Sequence, residues 1–187
     1  MVVDDPQGVG VLASGQGSNL QALIDAGISI AAVATNVAGA PVLARSARIG
    51  IPTGVFTLEA YSDRDARDTA MADWLASHEV GLVVCAGYMH LLRPVFLSRF
   101  PQRVVNVHPA LLPAFPGAHA IEEALAAGAT ETGATVHLVD EGIDTGRVLR
   151  QEAVAVLPGD TPESLHTRVQ AVEHRLLPEV VRELIAA

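Results

Sequence analysis

Short apolar runs alternate with amphipathic stretches along most of this 187-residue chain. The apolar runs end in Gly, Ser or other polar residues, which is typical of buried strands. Between them, apolar residues recur at the spacing of a helix with one buried face. The pattern predicts strands in the segments 8–14, 28–35, 51–56, 80–87, 103–108, 133–140 and 147–156.

Start and stop signals define the helices between these strands. The clearest helix covers residues 62–78, where Ser62 or Asp63 is the predicted N-cap and acidic residues fill the first turn. Ser18 is the predicted N-cap of the first helix, and Thr161 followed by Pro162 starts the last. The remaining predicted helices lie in the segments 40–50, 93–100 and 119–128.

The order of these elements predicts the architecture. Strands that alternate with helices favour a doubly wound, mostly parallel α/β sheet. Only the sequence "EGIDTG" separates the last two strands, which is too short for a crossover helix, so they are expected to form an antiparallel pair at one side of the sheet. No linker or repeat interrupts the pattern, and we expect a single domain over residues 1–187.

Charge narrows the range of partners. The net charge is −9 and every basic residue is an arginine, which argues against nucleic acid or an anionic membrane as a partner. The absence of lysine excludes a P-loop, although backbone N–H groups can still hold a phosphate. The oligomeric state stays open, with a homodimer among the options.

The cysteine, the histidines and the first residues of the chain bear on metal binding and on the cellular compartment. Cys85 is the only cysteine and lies within an apolar run, so it is expected to be a buried structural thiol. The histidines show no zinc-ligand spacing, and no metal site is predicted. The segment 1–8 lacks the apolar core of a secretion signal, and no apolar run has the length of a membrane span. We therefore expect a cytoplasmic location.

A glycine-rich turn joins the first strand to the first helix. In "ASGQGSNLQAL", Gly15 and Gly17 precede the helix that starts near Ser18, where N–H groups and the helix dipole favour a phosphate. The third glycine of a dinucleotide fingerprint is missing, because Leu20 occupies its place. The alternative is an ordinary tight turn without a ligand.

Asn106 and His108 end the strand of residues 103–108 and point to the same face. An Asn amide is suited to stabilise a developing oxyanion, and a His can transfer a proton near neutral pH. Pro109, Pro113 and Pro116 stiffen the segment that follows. The alternative is a capped strand end with a solvated histidine.

Two further polar clusters are candidates. Asp140, Glu141 and Asp144 crowd the turn "VDEGIDTG", and acids beside a histidine favour its charged form. On the preceding strand, Thr135 and His137 share a face and are candidates for the same pocket. Without a histidine nearby, the turn is simply a polar hairpin.

The last helix carries polar residues along one flank of its apolar stripe. His166, Gln170 and Glu173 recur at helical spacing there. The alternative to a ligand contact is a solvated edge.

Together these segments resemble the phosphoribosylglycinamide formyltransferase family. The resemblance runs in order from about residue 8 to 180, and it rests on "SGQGSNLQALIDA", "VVCAGYMHLL", "NVHPALLPAFPGAHA", "TGATVHLVDEGIDTGRVL" and "RVQAVEHRLLP". It implies a Rossmann-like domain that moves a formyl group from 10-formyltetrahydrofolate, the cosubstrate, to the amine of glycinamide ribonucleotide in purine synthesis.

The resemblance also implies roles for individual residues. Asn106, His108 and Asp144 would form the catalytic set. The ribonucleotide would contact Gly17, Ser18, Asn19, Pro109, Gln170 and Glu173. The folate would contact Arg64, Met89, His90, Leu91, Leu92, Asn106, Asp140, Glu141, Gly142, Ile143 and Asp144.

Two positions of this sequence depart from the family pattern. His90 stands where the family often has Arg, and Ala114 where Lys is common, which lowers the local positive charge.

A formyltetrahydrofolate deformylase and the formyltransferase of methionyl-tRNA use the same Asn, His and Asp. The Gly-Ser-Asn loop favours a small phosphorylated acceptor over both. A non-catalytic nucleotide-binding module would need none of Asn106, His108 and Asp144.

Overall fold

A computed structural model describes residues 8–187. The segment 1–7, which contributed to the expectations of one domain and no secretion signal, lies outside the described residues. The strands are β1 (Gly8–Leu12), β2 (Ile30–Thr35), β3 (Thr53–Val55), β4 (Val80–Cys85), β5 (Val104–His108), β6 (Glu131–Leu138) and β7 (Val148–Ala155). The helices are α1 (Ser18–Asp25), α2 (Pro41–Ala47), α3 (Arg64–Ser77), α4 (Pro94–Leu97), α5 (Ala120–Ala126) and α6 (Pro162–Ala186).

The seven strands form one sheet in the order β3-β2-β1-β4-β5-β6-β7. The pairs from β3 to β5 are parallel, whereas β5–β6 and β6–β7 are antiparallel. The predicted doubly wound, mostly parallel sheet with an antiparallel pair at one side is confirmed. The strand order reverses direction between β1 and β4, and a crevice opens at such a switch point.

Two apolar cores cover the two faces of the sheet. One contains Leu20 and Leu23 of α1 together with Val169 and Leu177 of α6. The other contains residues of α3 and α4, such as Met71 and Phe96. This placement follows from the short apolar strands, which need cover on both faces.

The antiparallel pairing of β5 with β6 was not anticipated, because a helix separates them and a crossover helix usually returns the chain in parallel. The register places His137 opposite Asn106 and Thr135 opposite His108. Thr135 Oγ1 donates a hydrogen bond to the Ala110 carbonyl at 2.6 Å and accepts one from the Leu112 N–H at 3.2 Å. The strand therefore secures the proline-rich segment that follows His108.

One predicted cap is wrong, and others are confirmed. Gly17, not Ser18, occupies the N-cap of α1, with a left-handed φ of 72° that glycine adopts without strain. Asp63 caps α3 by accepting from the Ala66 N–H, and Thr161 caps α6 in a capping box.

In residues 8–187, none of the helices combines the length and the apolar composition that a membrane span requires.

Candidate active site

A cavity of about 580 Å³ opens at the switch point between β1 and β4. Its walls come from the loops after β1, β4 and β5 and from one flank of α6. It holds most of the predicted site residues, namely Gly17, Ser18, Asn19, Met89, His90, Leu91, Asn106, His108, Pro109, Ile143, Asp144, Gln170 and Glu173.

A smaller cavity of about 80 Å³ adjoins it beneath the loop after β4. Both cavities are bordered by Tyr88, His90, Leu91, Asn106 and Asp144. The smaller one also receives the predicted residues Leu92, Asp140 and Gly142. Two of the catalytic candidates, Asn106 and Asp144, thus lie at the junction of the two cavities, and His108 borders the larger one.

Two predicted folate residues border neither cavity. Arg64 is an exposed residue at the start of α3, and Glu141 is exposed in the turn before Asp144. The family resemblance assigns both residues to the folate, but their side chains are not part of the cavity walls.

The glycine-rich turn is tied to its surroundings on several sides. Ser14 accepts from the Met89 N–H at 2.9 Å and donates to Asn36 Oδ1 at 2.6 Å. Arg45 Nε donates to the Gln16 carbonyl at 3.1 Å. A Cβ on Gly17 would lie 2.7 Å from Val42 Cγ2, so this position has no room for a side chain. These contacts hold the backbone N–H groups of the turn in fixed positions.

The flank of α6 closes the cavity above this turn. Gln170 Nε2 donates to Ser18 Oγ at 3.0 Å, and Asn19 Nδ2 donates to Glu173 Oε2 at 3.0 Å. Glu173 is only 5% exposed, and burial raises its pKa to about 7 although the Asn19 hydrogen bond opposes the shift. The carboxyl is therefore poised to change charge near neutral pH.

Asn106, His108 and Asp144 converge at the floor of the cavity. Asp144 Oδ2 lies 3.4 Å from His108 Nδ1, and Asp144 Oδ1 lies 3.4 Å from Asn106 Nδ2. His108 is buried, and its Nε2 lies 2.8 Å from the Phe115 carbonyl oxygen, to which it donates. Backbone and carboxylate thus fix the imidazole plane.

Asp144 is stabilised in its ionised form. Burial acts to raise its pKa, but hydrogen bonds from His137 and the Gly117 N–H, together with the charges of His108 and His137, outweigh that effect, and the pKa lies below its usual value. The Gly117 N–H donates to Oδ2 at 2.8 Å.

His137 joins this group, although only its shared face with Thr135 pointed to it in the sequence. It is 2% exposed, and its Nδ1 donates to the Leu138 carbonyl at 2.9 Å. Its Nε2 lies 3.1 Å from Asn106 Nδ2 and 3.4 Å from Asp144 Oδ1. A neutral ring accepts from the amide, whereas a protonated ring donates to the carboxylate.

Cys85 is buried as predicted, and burial raises the pKa of its thiol to about 12, which leaves it unreactive. Among the described residues, no group of three or more His, Cys, Asp or Glu side chains is arranged to hold a metal ion.

A cavity at a sheet's switch point, with acid–base groups on its floor, marks an α/β enzyme that acts on small molecules. A sequence model described as "Formyl transferase" matches residues 8–181. The chain belongs to the formyl transferase family.

Individual relatives agree with this assignment. The chain is 48% identical over 178 residues to a phosphoribosylglycinamide formyltransferase of Mycobacterium tuberculosis, covering 93% of this chain and 83% of that protein. It is 43% identical to part of a trifunctional purine biosynthetic protein of Drosophila pseudoobscura, covering 92% of this chain and 13% of that protein. The crystal structure of glycinamide ribonucleotide transformylase 1 from Symbiobacterium toebii superimposes with a TM-score of 0.93 at 43% identity, covering 95% and 87% of the two chains.

Proposed function

We propose that this chain transfers the formyl group of 10-formyltetrahydrofolate to the primary amine of glycinamide ribonucleotide, a step of purine biosynthesis. The observation that carries the proposal is the convergence of Asn106, His108 and Asp144 on the floor of the larger cavity, where Asp144 lies 3.4 Å from each of the other two. Family membership supplies the formyl chemistry, and the named relatives supply the acceptor.

In the proposed reaction the amine nitrogen attacks the formyl carbon, and a tetrahedral intermediate with a negatively charged oxygen forms. The Asn106 amide and protonated His108 stabilise this oxygen. The C–N bond to N10 of the folate then breaks. N10 takes up a proton while the former amine loses one, with His108 as the relay, and the products are the formylated ribonucleotide and tetrahydrofolate.

The two cavities divide the substrates in this proposal. Gly17, Ser18 and Asn19 hold the ribonucleotide phosphate through N–H groups at the start of α1, and Gln170 and Glu173 face its sugar. The loop of residues 89–92 and the turn before Asp144 hold the folate. Arg64 and Glu141 act at the outer edge of the folate site, and the cytoplasm is the proposed compartment.

The test is a turnover assay with 10-formyltetrahydrofolate and three acceptors: glycinamide ribonucleotide, the same compound without its phosphate, and water alone. We expect one tetrahydrofolate per formylated ribonucleotide and a much higher KM for the acceptor that lacks phosphate. Equal release of tetrahydrofolate and formate with water alone would instead identify a deformylase.

A further inference from the structure

His90 borders both cavities, and its side chain meets a buried arginine behind them. Nη1 of Arg67 lies 2.5 Å from Nδ1 of His90. Arg67 belongs to α3 and is 0% exposed. This contact joins the loop of residues 89–92 to α3.

Arg67 is itself held in place by a buried carboxylate. Its Nε donates to Asp68 Oδ1 at 2.8 Å, and Nη2 lies 2.6 Å from the same oxygen in an ion pair that is not aligned as a hydrogen bond. Asp68 Oδ2 accepts from the Arg93 N–H at 2.7 Å. The guanidinium is therefore held against Asp68 on the side away from His90 by two short contacts.

The chemistry of arginine determines the state of the imidazole. A guanidinium has only donors, so Nδ1 of His90 must accept and carries no hydrogen. The remaining hydrogen of a neutral ring then lies on Nε2. Within residues 8–187, no protein group accepts a hydrogen bond from Nε2 of His90.

The surroundings also disfavour a charged His90. Burial lowers the pKa of His90, and the charges of Arg67 and Arg64 lower it further, while the more weakly acting Asp68 and Glu59 oppose them. Protonation at Nδ1 would also place an N–H against the Arg67 N–H.

We propose that Arg67 positions His90 as a neutral imidazole whose Nε2–H donates to a neutral acceptor of the bound folate, a carbonyl oxygen or ring nitrogen, where the two cavities join. This inference rests on the proposed function for the identity of the folate. In this arrangement the positive charge of Arg67 lies outside the cavity lining, and a directional neutral donor borders both cavities.

The first test is the tautomer, which does not depend on activity. Nitrogen-15 NMR of histidine-labelled protein at neutral pH should show a His90 ring with hydrogen on Nε2 and none on Nδ1, assigned by the loss of its signals in His90→Gln. Arg67→Lys, which retains a cationic donor, is expected to preserve this pattern, and Arg67→Met to yield a mixture of tautomers. A ring with hydrogen on Nδ1 in the unmodified protein would overturn the proposal.

The second test is calorimetric binding of tetrahydrofolate. His90→Leu should weaken binding about 3- to 10-fold, the effect of one neutral hydrogen bond, whereas His90→Gln, which retains a donor near Nε2, should stay within about 2-fold. His78→Leu, outside both cavities, is the control. The KM for glycinamide ribonucleotide should not change in the His90 variants.

The outcomes separate this inference from the proposed function. Equal loss of tetrahydrofolate binding in His90→Leu and His90→Gln, with formyl transfer intact in the unmodified protein, would overturn the role of His90 alone. Tighter binding in His90→Arg would point to a carboxylate acceptor and would contradict the neutral one proposed. A lack of transfer to the ribonucleotide, with His90-dependent binding retained, would overturn only the proposed function.

Discussion

Asp144 divides its two carboxylate oxygens between different neighbours. Oδ2 accepts from the Gly117 N–H and faces His108, whereas Oδ1 faces Asn106 and His137. Its backbone has a positive φ of 54°, an uncommon conformation for a residue other than glycine. One carboxylate therefore contacts Asn106, His108 and His137 at once.

Replacing Asp144 with Asn should remove the charge that favours protonated His108. We expect kcat to fall about 10²- to 10⁴-fold, and the limb of the kcat–pH profile that declines at high pH to move to lower pH. His108→Ala should cause a loss in the same range. Because the two side chains act as one unit, the double variant should lose much less than the product of the single losses.

Asn106→Ala is the comparison for this prediction. It should lower kcat through weaker oxyanion stabilisation while leaving the position of the pH limb nearly unchanged. Single losses that multiply in the double variant, with an unmoved limb in Asp144→Asn, would refute the coupling.

Glu173 should make stability depend on pH. Burial raises its pKa in the folded protein to about 7 from the ordinary glutamate value of 4.5, so the folded state binds more protons than the unfolded state between these two pH values. This stabilising contribution is complete below pH 4.5 and is lost as the pH rises through 7, by at most roughly 3 kcal/mol.

The measurement compares denaturant unfolding of the unmodified protein and Glu173→Gln from pH 4.5 to 8.5. Gln still accepts a hydrogen bond from Asn19 but cannot ionise, so the variant should gain in relative stability as the pH rises. Parallel stability curves for the two proteins would show that the buried carboxyl does not titrate in this range.

At the level of elements, the turn from β1 into α1 requires a glycine at position 17 for both conformational and steric reasons. Gly17 has a left-handed φ and faces Val42 of α2 at close range. Gly17→Ala should destabilise the protein and raise the KM for glycinamide ribonucleotide more than the KM for the folate, because it displaces the N–H groups of the turn.

Gly27→Ala is the matched control, since Gly27 also has a left-handed φ, at 77°, but a Cβ there would meet no atom within 4 Å. It should cost on the order of 1 kcal/mol of stability and leave both KM values unchanged. An equal rise in both KM values for Gly17→Ala would argue against a dedicated phosphate site.

For the whole molecule, charge separates the proposed activity from that of an enzyme acting on tRNA. The chain has a net charge of −9, and several arginines are paired with acids, including Arg93 with Asp65, Arg99 with Asp73 and Arg150 with Glu183. We therefore expect no salt-sensitive affinity for tRNA in a filter-binding titration at physiological ionic strength. Tight binding that weakens steeply with salt would restore the tRNA enzyme as an alternative.

The order and type of the elements were predictable because the signals are local. Strand and helix periodicities, the cap at Asp63 and the capping residue Thr161 all lie within a few residues of the structure they specify. The spacing of Asn106 and His108 likewise placed both on one face at the carboxyl end of a strand. The sequence alone therefore determined a doubly wound sheet with acid–base groups at its ligand-binding edge.

Only the tertiary structure decided which distant residues meet. The antiparallel register of β6 on β5 brings His137 to Asn106, the packing of α6 on α1 brings Glu173 to Asn19, and the burial of α3 brings Arg67 to His90. Such contacts depend on strand register, helix rotation and burial, which result from the packing of the whole chain and leave no periodic trace in the sequence. The physical reason is that periodicity specifies which face of an element is buried, whereas packing specifies which partner that face meets.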